Sequence, residues 1–184
     1  MINEYSYLKD NIVEVKKRIT QAALKVGKDP EEIKLIAVSK TVEPERVLEA
    51  IEENIIDFGE NRVQELCRKY DIINKKCNWH LIGHLQTNKV KYIIDKTKML
   101  HSLDRLGLAR EIQKRMEKED RVLDALVQVN VAGEESKFGI SPGETIEFIK
   151  EVGKYKNIKI KGLMTIAPYT EDPEVVRPVF RRLK

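Results

Sequence analysis

The sequence predicts an α/β fold built on a parallel sheet covered by helices. Two observations carry this. Short apolar runs of strand length alternate with amphipathic segments along the chain. The loops between them are short, with no linker or low-complexity tract, so successive units are βα repeats of a single domain. The length of 184 residues and the apolar fraction of 41% suffice for one substantial core.

The elements follow in order. An extra helix comes first: in "INEYSYLKDNIVEVKKRITQAALKVG", Tyr5, Leu8, Ile12, Val15, Ile19, Ala22 and Val26 recur at spacings of three and four, and Gly27 is a natural stop. Ile33 to Ser39 reads as a strand buried on both faces, as in a parallel sheet. "PERVLEAIEEN" is a helix and "IIDFG" a strand. "NRVQELCRKYDII" is a helix with Val63, Leu66, Cys67, Tyr70 and Ile73 on its apolar face. "NWHLIG" is a strand, "QTNKVKYII" a helix and "KMLHSL" a strand. Asp104 is placed to cap "RLGLAREIQKRMEK". "LDALVQVNV" is the longest strand signal. "PGETIEFIKEVG" is a helix, "IKIKGLMTI" a strand, and "DPEVVRPVFRRLK" opens a last helix.

Six βα units fit either an open doubly wound sheet or part of a closed (β/α)8 barrel, which needs two more units to hide its edges. The first strand–helix turn, "SKTVEP", lacks the glycine-rich fingerprint of a dinucleotide site. The chain also stops inside a helix, at "FRRLK", so the expectation is an open sheet or a fragment.

Composition removes several function classes. Net charge is +4, from 34 basic and 30 acidic residues that alternate along helices, which gives no basic block for nucleic acid. Aromatics make up 6%, so stacking platforms for a nucleic-acid or partner-binding module are scarce. No apolar run reaches the roughly 18 residues of a membrane span, and "MINEYSYLKD" does not read as a secretory leader. Two cysteines, Cys67 and Cys77, do not make a disulfide framework, and the cytoplasm is the expected compartment.

In parallel α/β folds, chemistry gathers in the loops after the strands. Those positions hold Lys40, Gly59, Glu60, Asn61, Gly83, His84, His101, Ser102, Asn130, Met164 and Thr165. A lysine at the rim of a dry barrel loses hydration, which makes a neutral amine available for a Schiff base with an aldehyde. The plainer reading of Lys40 is a strand-end lysine with its head in water. Lys89, at a helix start, and Lys137, beside the carboxylates of "GEES", are the poorer amines. Cys67, Cys77, His80 and His84 cluster in sequence like metal ligands. Yet Cys67 falls on an apolar helix face and His80 within a strand, which favours buried structural roles and no metal.

Six blocks occur in order: "AVSKT", "FGENRVQE", "WHLIGHLQTNK", "SLDRLGLAREI", "QVNVAGEESKFGI" and "KGLMTIAP". Together, from Lys34 to Pro168, they resemble the YggS/PROSC family, the pyridoxal phosphate homeostasis proteins. The resemblance implies a TIM-like (β/α)8 barrel similar to the N-terminal barrel of alanine racemase. With one extra N-terminal helix and about six βα units present, residues 1–184 would be a single barrel domain truncated at its C-terminus. It implies pyridoxal 5′-phosphate (PLP) as cofactor, held as a Schiff base on Lys40 of "AVSKT". Asn61 of "FGEN" would lie beside the ring and its 3′-oxygen, and Met164 of "GLMT" would line the same mouth. The roles of His80, His84 and Asn130 stay open. The resemblance also implies a final part, beyond the six blocks, whose serine–glycine pair, arginine and glycine–threonine pair bind the phosphate and face the pyridine nitrogen; residues 1–184 do not include that part.

The function implied is that of a monomeric PLP carrier in vitamin B6 and amino-acid homeostasis, with PLP-requiring apoenzymes as recipients. Racemisation needs proton delivery on both faces of a carbon, and Lys40 can serve only one. The alternative is a PLP-dependent amino-acid racemase.

Overall fold

The computed structural model describes residues 4–73, 76–133 and 138–184. Six strands, β1 (Ala37–Val38), β2 (Asp57–Glu60), β3 (Asn78–Leu81), β4 (Thr97–Leu103), β5 (Leu123–Gln128) and β6 (Ile158–Met164), form one parallel sheet in the order β1-β2-β3-β4-β5-β6. A doubly wound sheet reverses its strand order at a switch point; this one never does. Sequential order is the pattern of a (β/α) barrel, here open between β1 and β6 among the described residues.

The helices are α1 (Glu4–Leu24), α2 (Pro44–Glu52), α3 (Val63–Ile73), α4 (Leu106–Lys118), α5 (Thr145–Val152) and α6 (Pro173–Leu183). Several start where chemistry favours it. Proline occupies the first turn of α2 and of α6, where its missing N–H costs nothing. Asp172 caps α6 through a 2.9 Å bond from the Glu174 amide. Gly27, at φ +67°, ends the first helical segment with the left-handed turn that glycine adopts freely.

The core lies between the sheet and its helices. Phe58 meets Trp79 across the β2–β3 register, with ring centroids 5.9 Å apart. Leu66 of α3, Leu108 and Ile112 of α4, and Leu81 and Leu100 of the sheet are fully buried around them. Side chains alternate across a strand. Phe58 and Glu60 therefore face the helices, and Asp57 and Gly59 face the opposite, inner side.

Four expectations change. The strand foreseen over Ile33–Ser39 shortens to two residues, and Val38 is exposed. The reason is position: among the described residues β1 pairs with β2 alone, so no second strand covers it. The stripe foreseen for α1 is likewise only partly covered: Leu8, Ile12 and Ile19 are half-buried, Val15, Ala22 and Val26 are exposed, and the buried residue of this segment, Ala23, lies off the stripe. "QTNKVKYII" forms a 3-10 turn over Thr87–Tyr92 instead of an α-helix, because six residues gain little from propagation. Asp104 does not cap α4. Arg105 takes the N-cap position without a side-chain bond, and Asp104 binds Arg105 Nη1 at 2.5 Å while facing His84 Nδ1 at 3.3 Å.

Candidate functional site

β1 runs into a tight turn. Ser39 is buried; its amide donates to the Gly59 carbonyl at 3.0 Å, and its carbonyl accepts from the Val42 amide at 3.0 Å. Between them Lys40 points outward and is exposed. Thr41 adopts φ +63°, a left-handed conformation uncommon for a β-branched residue. The sequence reading shelters Lys40 at a dry rim; the structure corrects this. Among the described residues β1 is an edge strand, and Lys40 at its end is exposed.

The turn is secured from beneath. Lys69 of α3 is fully buried and donates from Nζ to the Ser39 carbonyl and to Glu60 Oε1, each at 2.6 Å. Ser39 Oγ donates to the same Glu60 oxygen at 2.7 Å. Glu60 Oε2 is buried and has no hydrogen-bond partner among the described residues.

Asn61 follows Glu60 directly, on the loop into α3. Its carbonyl packs so closely on Gly83, after β3, that a Cβ there would lie 2.2 Å from the Asn61 oxygen. Ser102 Oγ ties the Gly83 carbonyl at 2.7 Å. We expect Gly83→Ala to displace the Asn61 loop and to lower stability by about 1–3 kcal/mol in urea unfolding. An unchanged midpoint would show that this close approach is dispensable.

Lys40 and Asn61 border one cavity of about 610 Å³, together with Thr41, Glu43, Glu60, Arg62, Glu65 and Arg68. Arg68 is already engaged, with Glu43 at 3.1 Å and Glu65 at 3.3 Å. Asn61 and Arg62 also border a second cavity of about 630 Å³, with His84, Gln86, Lys89 and Phe138. Met164 ends β6, level with Gln128 and half-buried, at the other extreme of the strand order. The structure thus brings Lys40 and Asn61 together, while Met164 lines neither cavity.

Lys89 is half-buried beside the second cavity, and Lys137 lies outside the described residues. His84 stacks on Phe138, centroids 3.8 Å apart. Asn130 Oδ1 accepts from the Gly133 amide at 3.1 Å. Cys67 is half-buried, and its Sγ sits 3.4 Å from the Tyr92 carbonyl. Burial pushes the Cys67 thiol up and, with help from Asp57, the Cys77 thiol to about 12, so both resist ionisation. Among the described residues no group of three or more His, Cys, Asp and Glu is arranged to hold a metal ion.

Two features escape sequence reading. Lys69 lies on the apolar face of α3, three residues after Leu66 and four before Ile73, and that spacing was the available signal. On the inner face of the sheet, His80 Nε2 meets Asp57 Oδ1 at 3.0 Å and His80 Nδ1 meets His101 Nε2 at 2.9 Å. Lys34 and Asn78 complete the Asp57 shell, at 3.2 and 3.1 Å.

A family model described as "Alanine racemase, N-terminal domain" matches residues 7–184. A pyridoxal phosphate homeostasis protein from Aquifex aeolicus is 46% identical over 176 residues, covering 95% of this chain and 77% of its own. The chain belongs to the pyridoxal phosphate homeostasis protein family. The family read from the six sequence blocks is therefore the right one.

Solved structures agree on the fold. PipY of Synechococcus elongatus, solved with PLP bound, superposes with TM-score 0.76 at 27% identity, over 90% of this chain and 78% of its own. An alanine racemase of Clostridium difficile superposes with TM-score 0.72 at 16% identity, over 90% of this chain and 46% of its own, which shows the shared barrel-like fold. Within this homeostasis family, then, the fold is that of the alanine racemase N-terminal barrel, with six of its strands present here.

Proposed function

We propose that this chain holds PLP covalently on Lys40 and serves intracellular PLP and amino-acid homeostasis. In this reading it is a monomeric cytoplasmic carrier whose recipients are PLP-requiring apoenzymes. The observation that carries the reading is the juxtaposition of Lys40 and Asn61 on one cavity at the carboxyl ends of β1 and β2. The family membership and the PLP-bound PipY support it.

The residues present fit such a group. The Lys40 amine is exposed at the cavity rim, so an aldehyde can reach it. Lys40 would hold the group through its amine, the one nucleophilic nitrogen among the described residues bordering this cavity. Asn61 offers an amide for the ring oxygen, and Arg62 adds a permanent cation for an anionic ligand. When bound, PLP supplies an electron sink for carbon–hydrogen chemistry at an amine. Met164, at the end of β6, is assigned to the wider mouth.

Poor turnover of amino acids is the second half of the proposal. A second, opposed base is needed for racemisation. The carboxylates around the cavity are committed: Glu43 and Glu65 to Arg68, and Glu60 to Lys69 and Ser39. The two arginines cannot give up a proton.

The test is spectroscopic. The purified protein mixed with PLP should develop a visible absorption band that borohydride reduction converts to a stable adduct on Lys40. Lys40→Ala should lose both band and adduct. A band of unchanged intensity in Lys40→Ala would refute the assignment of the lysine. Brisk interconversion of D- and L-alanine would refute the non-catalytic half and favour a racemase.

A further inference from the structure

We propose that the buried Glu60–Lys69 ion pair is a positioning device for Lys40, and that Glu60 and Lys69 set the geometry in which the Lys40 amine meets an aldehyde. The inference rests on the reading of Lys40 as the PLP lysine. Lys69 is fully buried, and a buried lysine is costly unless its proton donors are used. Two of them are used at 2.6 Å, one on the Glu60 carboxylate and one on the Ser39 carbonyl. The second contact is the telling one. An ion pair needed only to join α3 to β2 has no use for the carbonyl of the residue before Lys40.

The local backbone explains why that carbonyl needs an anchor. The Lys40 turn includes Thr41 at φ +63°, a conformation that costs about 1–3 kcal/mol and persists only when its surroundings impose it. β1 is two residues long and, among the described residues, paired on one side, so the strand itself imposes little. Lys69 and the Val42 amide both fasten the Ser39 carbonyl, while Ser39 Oγ is fastened to Glu60. Glu60 in turn is the residue immediately before Asn61. One buried pair thus fixes both residues that the PLP reading places on the cavity.

The decisive variant is Glu60→Gln/Lys69→Met in the full chain, which removes both charges together and leaves neither buried alone. Three quantities are read: the apparent Kd for PLP from the visible band, the lysine carrying the borohydride adduct, and amide exchange at Val42 in ligand-free protein. The folded double variant should bind about tenfold more weakly. Its adduct should spread from Lys40 to other lysines, and Val42 exchange should accelerate about tenfold. Wild-type affinity with the adduct confined to Lys40 would overturn the proposal, as would unchanged Val42 exchange. Should the double variant fail to fold, Ser39→Ala removes one bond from Glu60 and no charge, and is expected to weaken PLP binding about threefold. No loss there overturns the proposal equally. If the wild-type adduct falls on a lysine other than Lys40, the PLP assignment fails, and Val42 exchange still decides whether the pair holds the turn.

Discussion

Lys69→Met alone should cost about 3–5 kcal/mol of stability, because it breaks a buried ion pair and leaves one partner charged. The methionine fills nearly the same volume, so packing changes little. What remains is the Glu60 carboxylate, fully buried, with Ser39 Oγ as its one remaining side-chain donor and Oε2 still unpartnered. The Ser39 carbonyl also loses a 2.6 Å donor. An uncompensated buried charge is far more costly than a neutral replacement of the whole pair. Glu60→Gln/Lys69→Met should therefore recover most of the stability lost by Lys69→Met. Urea unfolding of the two variants and wild type measures this. A single variant within about 1 kcal/mol of wild type would mean that water reaches the Glu60 carboxylate and the pair is not truly buried.

How much of this was legible beforehand differs by element. The parallel α/β class and all six strands could be read because central strands such as β5 are apolar whatever surrounds them. The edges could not. Whether Leu35 to Val38 are covered depends on a second neighbouring strand, and nothing in "LIAV" records whether one is there. The exposure of Lys40 follows from the same edge position of β1 among the described residues. The choice between doubly wound sheet and barrel rests on strand order, a long-range property that local periodicity does not encode. In the candidate site, Lys40 and Asn61 were visible as polar residues at strand ends, and the family motifs gave them roles. Lys69 was hidden by its type, since a lysine on a helix is ordinarily solvated. The Asp57–His80–His101 line was hidden because it depends on register across three strands, and that register includes an irregularity between Trp79 and His80.

Acidification from pH 7 to pH 4 should weaken the fold by up to about 3 kcal/mol through that inner-face line. Burial is the main force lowering the His101 pKa, from 6.5 to about 4, and the neighbouring His80 adds to it. Burial also lowers His80, with the charges of Lys34 and Lys98 in the same direction; the hydrogen bond and charge of Asp57 oppose them without winning. Burial acts upward on Asp57, but bonds from His80, Lys34 and Asn78 and the charge of Lys34 outweigh it and hold the carboxyl below 3.8. The sign follows directly. Unfolded histidines take up protons near 6.5, whereas folded His101 resists until about 4. The unfolded chain thus binds more protons across that window, and stability present above 6.5 is lost as pH falls towards 4. The Asp57 contribution is present above 3.8 and is lost as pH falls from there through the lower folded value, because the unfolded carboxyl takes up its proton first. With Asp57 ionised, His80 Nε2 donates to it, His80 Nδ1 is an acceptor, and His101 Nε2 must donate. A proton added to His80 Nδ1 would set two donors against each other at 2.9 Å. Urea midpoints at pH 7.5, 6 and 4.5 should fall in that order, and His101→Gln should flatten the dependence. Equal midpoints in wild type at the three pH values would show that the histidines reach solvent and that the line is not closed.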